Sequence, residues 1–435
     1  MDVLRRAFPG EVVLLDAGDT SLGTPISGLT HGKPTAEIFD LLDYDAVALG
    51  NHEFNWGKKA LMKLTEAFNT AVLCANLVNE DGSPPPFAGF TVIERNGVKI
   101  AVIGLVTPET SRRAPAQATA GWQFLEPAQA VRSVLPLLPH DCDLVVGLTH
   151  IGVSDDHKLA RAVPELDLIV GGHSHTPLTE VEYSGETPIV QAGRYGEYLG
   201  VLELLVDTEK NSVKVVSYRL MRFDEESPVL GKAQEIVNRY AAELEPALKR
   251  VVAHLPAPLL NRSIQGSYDT PMGCFIADAL RRHTGAEVAF YNRGGARFEL
   301  AAGPLTTATV HQWLPFDDPV TVVEASGAVL RLIVEQGTVG GQGPLSPSGL
   351  VATVQDGKVK KILVDGRPLQ NDKHYTIATT GFLAGGGDGM TNFTRALRLK
   401  VFPFTREVIL ERLREGDAPV KVPRAGRLSP HPTSP

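Results

Sequence analysis

Cysteine is scarce in this chain. Only Cys74, Cys142 and Cys274 occur among 435 residues, and no two of them form a CxxC pair. That spacing supports neither a disulfide framework nor a zinc–thiolate site, so the three read as small buried hydrophobes. Long hydrophobic runs are missing as well, and none approaches the roughly 18 residues that a membrane-spanning helix needs. An excess of positive charge is also lacking. The formal net charge is -8 with Lys and Arg scattered along the chain, which argues against nucleic-acid polymers and anionic membranes as partners. A small anionic ligand needs only a local positive site. The opening MDVLRRAFPG has no apolar leader core. It reads as the tail of a helix, with Val3, Leu4, Ala7 and Phe8 on one face and a Pro-Gly stop. What is present is ordinary for a globular protein, with 43% hydrophobic and 21% charged residues. The length predicts two domains.

The first half repeats a short apolar strand, a polar loop and a helical pattern. The strands read EVVLLDAGD, YDAVALGNHE, TAVLCANL, VKIAVIGLVTP, DCDLVVGLTH and ELDLIVGGHSH. Their Val, Ile and Leu content is that of strands covered on both faces. Helical stretches at 57–68 and 126–138 lie between some of them, which predicts an α/β layered domain over 1–221. A connecting helix is expected over 222–254, with Pro246 as a kink. A second α/β domain is expected over 255–427, with strands near 286–291, 319–325 and 374–380. The Pro- and Ser-rich end, 428–435, reads as a disordered tail. There is no strong internal repeat.

Chemistry-bearing residues gather at strand ends. His52, His150, His173 and His175 each follow an apolar strand, and Asp19 and Asn51 hold equivalent places in LDAGD and ALGNHE. In α/β sheets the loops at the carboxyl ends of strands converge on one crevice, so these six side chains are expected to share a site. Imidazole nitrogen, carboxylate oxygen and amide oxygen together suit divalent metals of the Zn, Mn, Fe or Co class. An HxH pair on a loop can aim two imidazoles at neighbouring cations, and an aspartate can bridge them. A two-metal site of that kind activates a hydroxide and clamps a phosphoryl group for in-line displacement. A lone strand-end His is more often a hydrogen-bonded structural residue, and it is the grouping that carries the reading. His31 and His157 stand in polar loops and read as solvated, and Asp16 reads as a turn cap.

The blocks GDTSLGTPIS, GNHEFNWG, GLTHIG and GGHSHTPL resemble successive blocks of the calcineurin-like metallophosphoesterases. More narrowly, they resemble the 5′-nucleotidase, UDP-sugar hydrolase and 2′,3′-cyclic nucleotide phosphodiesterase family. The resemblance implies a four-layer αββα sandwich, N-terminally truncated, and a second α/β substrate-binding domain joined by a helix. It implies two divalent metal ions, with Asp19 bridging both. Asn51, His150 and His173 would hold one ion and His175 the other. His52 would sit beside the phosphate, stabilising the transition state or protonating the leaving oxygen. Two departures stand out. The family's first block, an Asp-x-His after the first strand, is absent, leaving one carboxylate and five ligands for two cations. The expectation is that it lies upstream of Met1. The second is Asn55, where many family nucleotidases carry Asp. An amide cannot stabilise an imidazolium as a carboxylate does, and Asn here resembles the cyclic-phosphodiesterase branch.

In the second half FYNRGGARFEL places Asn292 and Arg297 around a Gly pair, LPFDDPV offers Phe316, and TTGFLAGGGDGM offers Phe382 and Asp388. The glycines permit close backbone approach, and Arg297 can grip phosphate bidentately. Two phenylalanines can sandwich a nucleobase, and Asp388 can accept ribose hydroxyls. A lone loop Phe is usually core packing, and a lone GGGDG is usually a turn. Together the NxGGxR, LPF and FxxxGGDG blocks resemble the substrate-binding domain of the same family, opened by IQGSYDTPMGCFIADAL. Arg262 is the candidate for that domain's further arginine, and Gly273 and Asp278 read as structural. The resemblance implies a small-molecule nucleotide substrate and a hinge at the connecting helix.

The leading expectation is a metal-dependent hydrolase of nucleotide phosphomonoesters. Asn55 motivates an alternative, a 2′,3′-cyclic nucleotide 2′-phosphodiesterase with 3′-nucleotidase activity. The absent Asp-x-His motivates another, a non-catalytic nucleotide-binding protein. The resemblance points to a periplasmic or extracellular location, whereas the opening residues carry no signal peptide.

Overall fold

A computed structural model describes every residue except 84–85, 115, 210–211, 225, 265–266, 317, 340–343, 356–357, 415–419 and 431–435. The chain divides into two compact units, Met1–Ala242 and Glu243–Pro435.

In the first unit all six expected strands form. Leu15–Asp16, Ala46–Ala48 and Ala71–Leu73 make a parallel three-stranded sheet. The others enter a six-stranded sheet in the order Glu182–Ser184, Thr187–Gln191, Leu168–Gly171, Leu144–His150, Val98–Val106, Phe90–Arg95. Its four central strands are parallel. They are apolar on both faces because both faces are covered. One face packs against the three-stranded sheet, where Ala46, Ala48 and Leu73 meet Val102, Val146 and Leu148. The other buries Ala130, Val131, Leu159 and Ala160 from the helices Pro127–Val134 and Val153–Ala162. Crossovers of the parallel three-stranded sheet supply Lys33–Leu42 and Lys58–Thr65. The expected αββα layering is therefore present. Each fully buried Leu or Val contributes roughly 1.5–3 kcal/mol, so the two-faced strands fix register firmly. That register brings strand C-termini to one edge, with His150 opposite Val106 and Gly171 opposite Thr149.

In the second unit a five-stranded sheet runs in the order Leu345–Ser348, Val288–Asn292, His374–Thr380, Pro319–Ser326, Leu397–Phe404. The three strands expected there are its centre. Helix Pro271–Thr284 packs on it beside Trp313 and Val408. Thr270 caps that helix by accepting from the Gly273 amide, Pro271 opens it, and Gly285 closes it at φ +72°. The opposite face carries helix Gly327–Val339, with Leu330 and Ile333 buried against Phe290 and Ile377.

Two expectations shift at their edges. The long helix is Gly231–Lys249 with Pro246 inside it, and Val251–Leu255 is a strand paired with Gly303–Thr306. The β-branched pair Val251–Val252 favours an extended backbone there. The C-terminal end keeps order through Ser429, since Leu428–Ser429 pairs in parallel with Leu350–Gln355. Buried Asp269 accepts the amides of Gly426, Arg427 and Leu428, and Arg427 clasps Asp278 through two bonds of 2.6 and 2.8 Å. The tail residues 431–435 lie outside those described.

His311, on helix Thr307–Trp313, is 6% exposed and its Nε2 lacks a hydrogen-bond partner among the described residues. Burial, then the nearby Arg406 charge, lowers its pKa to about 4. The unfolded chain binds this proton near pH 6.5 and the fold does not, so stability is full above that pH and is lost as pH falls toward 4. The slope reaches about 1.4 kcal/mol per pH unit. In denaturant titrations from about pH 4 to about pH 7.5, the stability of the wild type minus that of His311→Gln should rise with this slope, the subtraction removing other groups such as Asp16. Parallel curves would refute the assignment.

Candidate functional site

Two glycines let the first loops touch. Gly18 has φ +91°, and a Cβ there would stand 2.5 Å from the Gly50 amide nitrogen. A Cβ on Gly50 would collide with the Asp19 carboxylate. Asp19 itself adopts φ +62°, a left-handed backbone that costs an ordinary residue free energy. Glu53 holds this arrangement. Its buried carboxylate accepts the amides of Asp19 (3.0 Å), Thr20 (2.8 Å), Ser21 (3.1 Å) and Gly50 (2.8 Å), and the Ser21 hydroxyl (3.0 Å). The His52 amide donates to Asp19 Oδ1 at 2.9 Å. One side chain thus ties the loop after the first strand to the loop after the second. Asp16 accepts the Gly18 amide at 2.8 Å, and burial pushes its carboxyl up to about 7.

His150 closes the cluster from the other sheet. Its Nδ1 lies 2.7 Å from the Ala17 carbonyl. A carbonyl only accepts, so Nδ1 carries a proton and Nε2 is the ring atom turned toward Asp19. That Nε2 lies 3.0 Å from Asp19 Oδ2, within ion-pair distance. Burial opposes both charges, but the pair wins. His150 and His52 hold Asp19 well below the carboxylate range, and Asp19 lifts the His150 imidazole to about 9. A donor atom of His173 joins these two, and the three ligand atoms all lie within 4.8 Å of one another. Asn51 Oδ1 is buried without a hydrogen-bond partner among the described residues. A buried acceptor left without a partner is costly. The donor set of Asp19, His150 and His173 fits one divalent metal.

His175 stands apart from that close group. It is exposed, has φ +58°, and sets its ring edge-on to Tyr195 at 5.5 Å. Burial, aided by Arg194, His150 and His52, outweighs Asp19 and lowers its pKa. Its contact with the site is electrostatic. His52 begins the short 3₁₀ turn His52–Trp56, and its Nδ1 meets Asn55 Nδ2 at 2.6 Å. His31 is exposed as expected but stacks on Trp56 at 4.8 Å, and His157 pairs with Glu182 at the surface.

In the second unit the residues singled out from sequence fall into contacting sets. Asn292 ends its strand buried and donates to Asp388 Oδ2 at 2.7 Å. Asp388 has φ +53° within the GGDG turn. The Arg297 guanidinium lies over the Phe316 ring at 5.3 Å. Phe316 is 43% exposed and Phe382 is 50% exposed, unusual for large aromatics that merely pack. The Asp318 carboxylate accepts the Phe382 amide at 3.0 Å, tethering the Phe382 turn beside the Phe316 segment. Arg262 lies on the surface, 4.0 Å from Glu299. Its neighbour Asn261 donates to the carbonyls of Arg293 and Ala296, fixing the Gly-pair turn.

Sequence reasoning misses Glu53, Asp318 and Asn261. Glu53 alone carries a visible signal, an acid next to a candidate catalytic His inside a quoted block.

Comparison with known proteins follows the same lines. Residues 251–395 match the family described as 5′-nucleotidase, C-terminal domain. A 5′-nucleotidase of Vibrio cholerae serotype O1 is 29% identical over 471 residues, covering 96% of this chain and 85% of the relative. Protein UshA of Escherichia coli K12 is 28% identical, covering 87% and 78%. The crystal structure of a 5′-nucleotidase precursor from Thermus thermophilus superposes with TM-score 0.65 at 26% identity, covering 98% of this chain and 91% of the other.

Glu53→Gln turns one acceptor oxygen into a donor aimed at backbone amides, leaving buried N–H groups unpaired. It should cost roughly 2–3 kcal/mol of stability in chelator and weaken manganese binding to the folded protein. Denaturant titration and calorimetry check both, and wild-type values for both would remove Glu53 from the scheme.

Proposed function

We propose, from the kinship of this chain with the 5′-nucleotidases along nearly all its length, that it hydrolyses nucleotide phosphomonoesters. The supporting observations are the close grouping of Asp19, His150 and His173 ligand atoms and the buried Asn51 oxygen without a hydrogen-bond partner among the described residues. Those four side chains would hold one divalent cation, and Asp19 with His175 would contribute to a second. Bound there, divalent cations polarise phosphoryl oxygens and make water a nucleophile at neutral pH.

The protein's own residues do the rest. Glu53 keeps Asp19 and Gly50 in place, so the carboxylate is presented without reorganisation. His52 would face the phosphate. With Asn55 Nδ2 donating to its Nδ1, its remaining proton is on Nε2, available to a phosphoryl or leaving oxygen. In the second unit Phe316 and Phe382 would stack on a nucleobase, Asp388 would take ribose hydroxyls, and Arg297 would pair with phosphate. Asn292 braces Asp388 for that role.

A second reading, the 2′,3′-cyclic nucleotide phosphodiesterase with 3′-nucleotidase activity, draws on one observation. An amide rather than a carboxylate backs His52, so a protonated imidazole has no anionic partner at Asn55.

A panel of nucleoside 5′-monophosphates and 2′,3′-cyclic nucleotides with added manganese should show phosphate release, faster on the 5′-monophosphates. Preference for the cyclic substrates would favour the second reading, and no turnover on either would leave a nucleotide-binding protein. Phe382→Ala should raise KM for the nucleotide about ten-fold or more, in line with roughly 1–3 kcal/mol of stacking per base. It should leave hydrolysis of a small aryl phosphate nearly unchanged. Equal losses on both substrates would argue against base stacking.

A further inference from the structure

The loop that carries both imidazoles of the HxH pair is strained at both. His173 has φ +73° and His175 has φ +58°, a left-handed backbone that residues with a Cβ avoid. Such conformations persist only where the surroundings over-determine them. One buried side chain supplies the constraint. Strand Thr187–Gln191 runs parallel to Leu168–Gly171 with Gln191 opposite Gly171, so Gln191 stands where the loop departs. It is 2% exposed.

The Gln191 amide contacts every second residue of the loop. Its Nε2 donates to the Gly172 carbonyl at 3.1 Å. Its Oε1 accepts the Ser174 hydroxyl at 3.0 Å and the Thr176 amide at 2.8 Å. The chemistry of the partners sets the orientation of the amide, because a carbonyl only accepts and a backbone N–H only donates. Residues 172, 174 and 176 are thereby held from one side, and the left-handed His173 and His175 lie between them. Ser174 extends the brace by accepting the Val153 amide at 3.3 Å. The strand neighbour Gly171 leaves room for this. A Cβ there would stand 3.3 Å from Gln191 Nε2 and would overlap the Asp156 carboxylate.

We propose that Gln191 is the positioning residue of the His173–Ser174–His175 loop, and that it sets the aim of both imidazoles. Glutamine is specifically suited to the task. Glutamate would turn an oxygen toward the Gly172 carbonyl, and methionine, of similar length, would leave the Thr176 amide and the Gly172 carbonyl without this partner. The effect on cation binding rests on the metal-centre reading of the proposed function. The effect on the loop does not.

The test compares wild type, Gln191→Met, Gln191→Glu and Thr187→Val. Thr187 lies on the same strand, and its buried hydroxyl donates to the Leu166 carbonyl at 2.9 Å, so Thr187→Val controls for a general loss of strand stability. In chelated protein, at a temperature where circular dichroism shows every variant folded, hydrogen exchange at the Thr176 amide should speed up about ten-fold or more in Gln191→Met, which leaves that amide without its acceptor. In Thr187→Val it should change little. Manganese affinity by calorimetry should fall about ten-fold or more in the Gln191 variants alone, and kcat should fall while KM for the nucleotide stays within about two-fold. Unchanged Thr176 exchange, or an equal loss of affinity in Thr187→Val, would overturn the positioning role. If exchange accelerates as expected but the wild type binds no manganese, the metal-centre reading fails and the loop assignment stands.

Discussion

The contact between Asp19 and His150 is the constraint on which the first unit's site depends. It joins two sheets that have no strand pairing between them among the described residues. His150 ends a strand of the six-stranded sheet, and its Nδ1 is tied to the Ala17 carbonyl beside the end of a three-stranded-sheet strand. That bond fixes the ring and turns Nε2 toward the Asp19 carboxylate. A buried imidazole nitrogen against a carboxylate calls for a positive charge between or upon them. Without metal the proton fills this role, which is why His150 is raised and Asp19 lowered. A divalent cation held by Asp19, His150 and His173 would meet the same demand.

Around that contact the fold spends its unusual backbone. Asp19, His173 and His175 are all left-handed, as is Gly18. Each of the loops concerned is pinned by a buried side chain from elsewhere in the chain, Glu53 in one case and Gln191 in the other. The division of labour is consistent. Parallel strands deliver the loops to one edge, and single buried polar groups then set their aim. In the second unit the same logic recurs on a smaller scale, with Asp318 holding the Phe382 amide and Asn261 holding the Gly-pair turn.

How far the sequence reaches can be judged residue by residue. The grouping of Asp19, His150 and His173 is legible because strand-end position is a sequence property, and parallel register converts it into proximity. The six strands of the first half are legible because covering on both faces leaves a continuous Val, Ile and Leu run. Glu53 and Gln191 are not legible as supports, because their partners are backbone groups of loops distant in sequence. The separation of His175 from the close ligand group is hidden too, since HxH spacing says nothing of a left-handed turn. Val251–Leu255 reads as the end of a helix because its apolar residues extend the helical pattern, and only pairing with Gly303–Thr306 makes it a strand. The hairpin Tyr198–Asp207 with Ser212–Arg222 gives no clear signal, its apolar and polar residues being mixed on half-exposed strands.

The most direct test is crystallographic. Crystals grown with manganese and measured at a wavelength that makes the metal scatter anomalously should show a peak in contact with Asp19 Oδ2, His150 Nε2, Asn51 Oδ1 and His173. An occupied manganese site elsewhere with none at these four residues, or an Asp19–His150 pair that keeps its proton at saturating metal, would contradict the central claim.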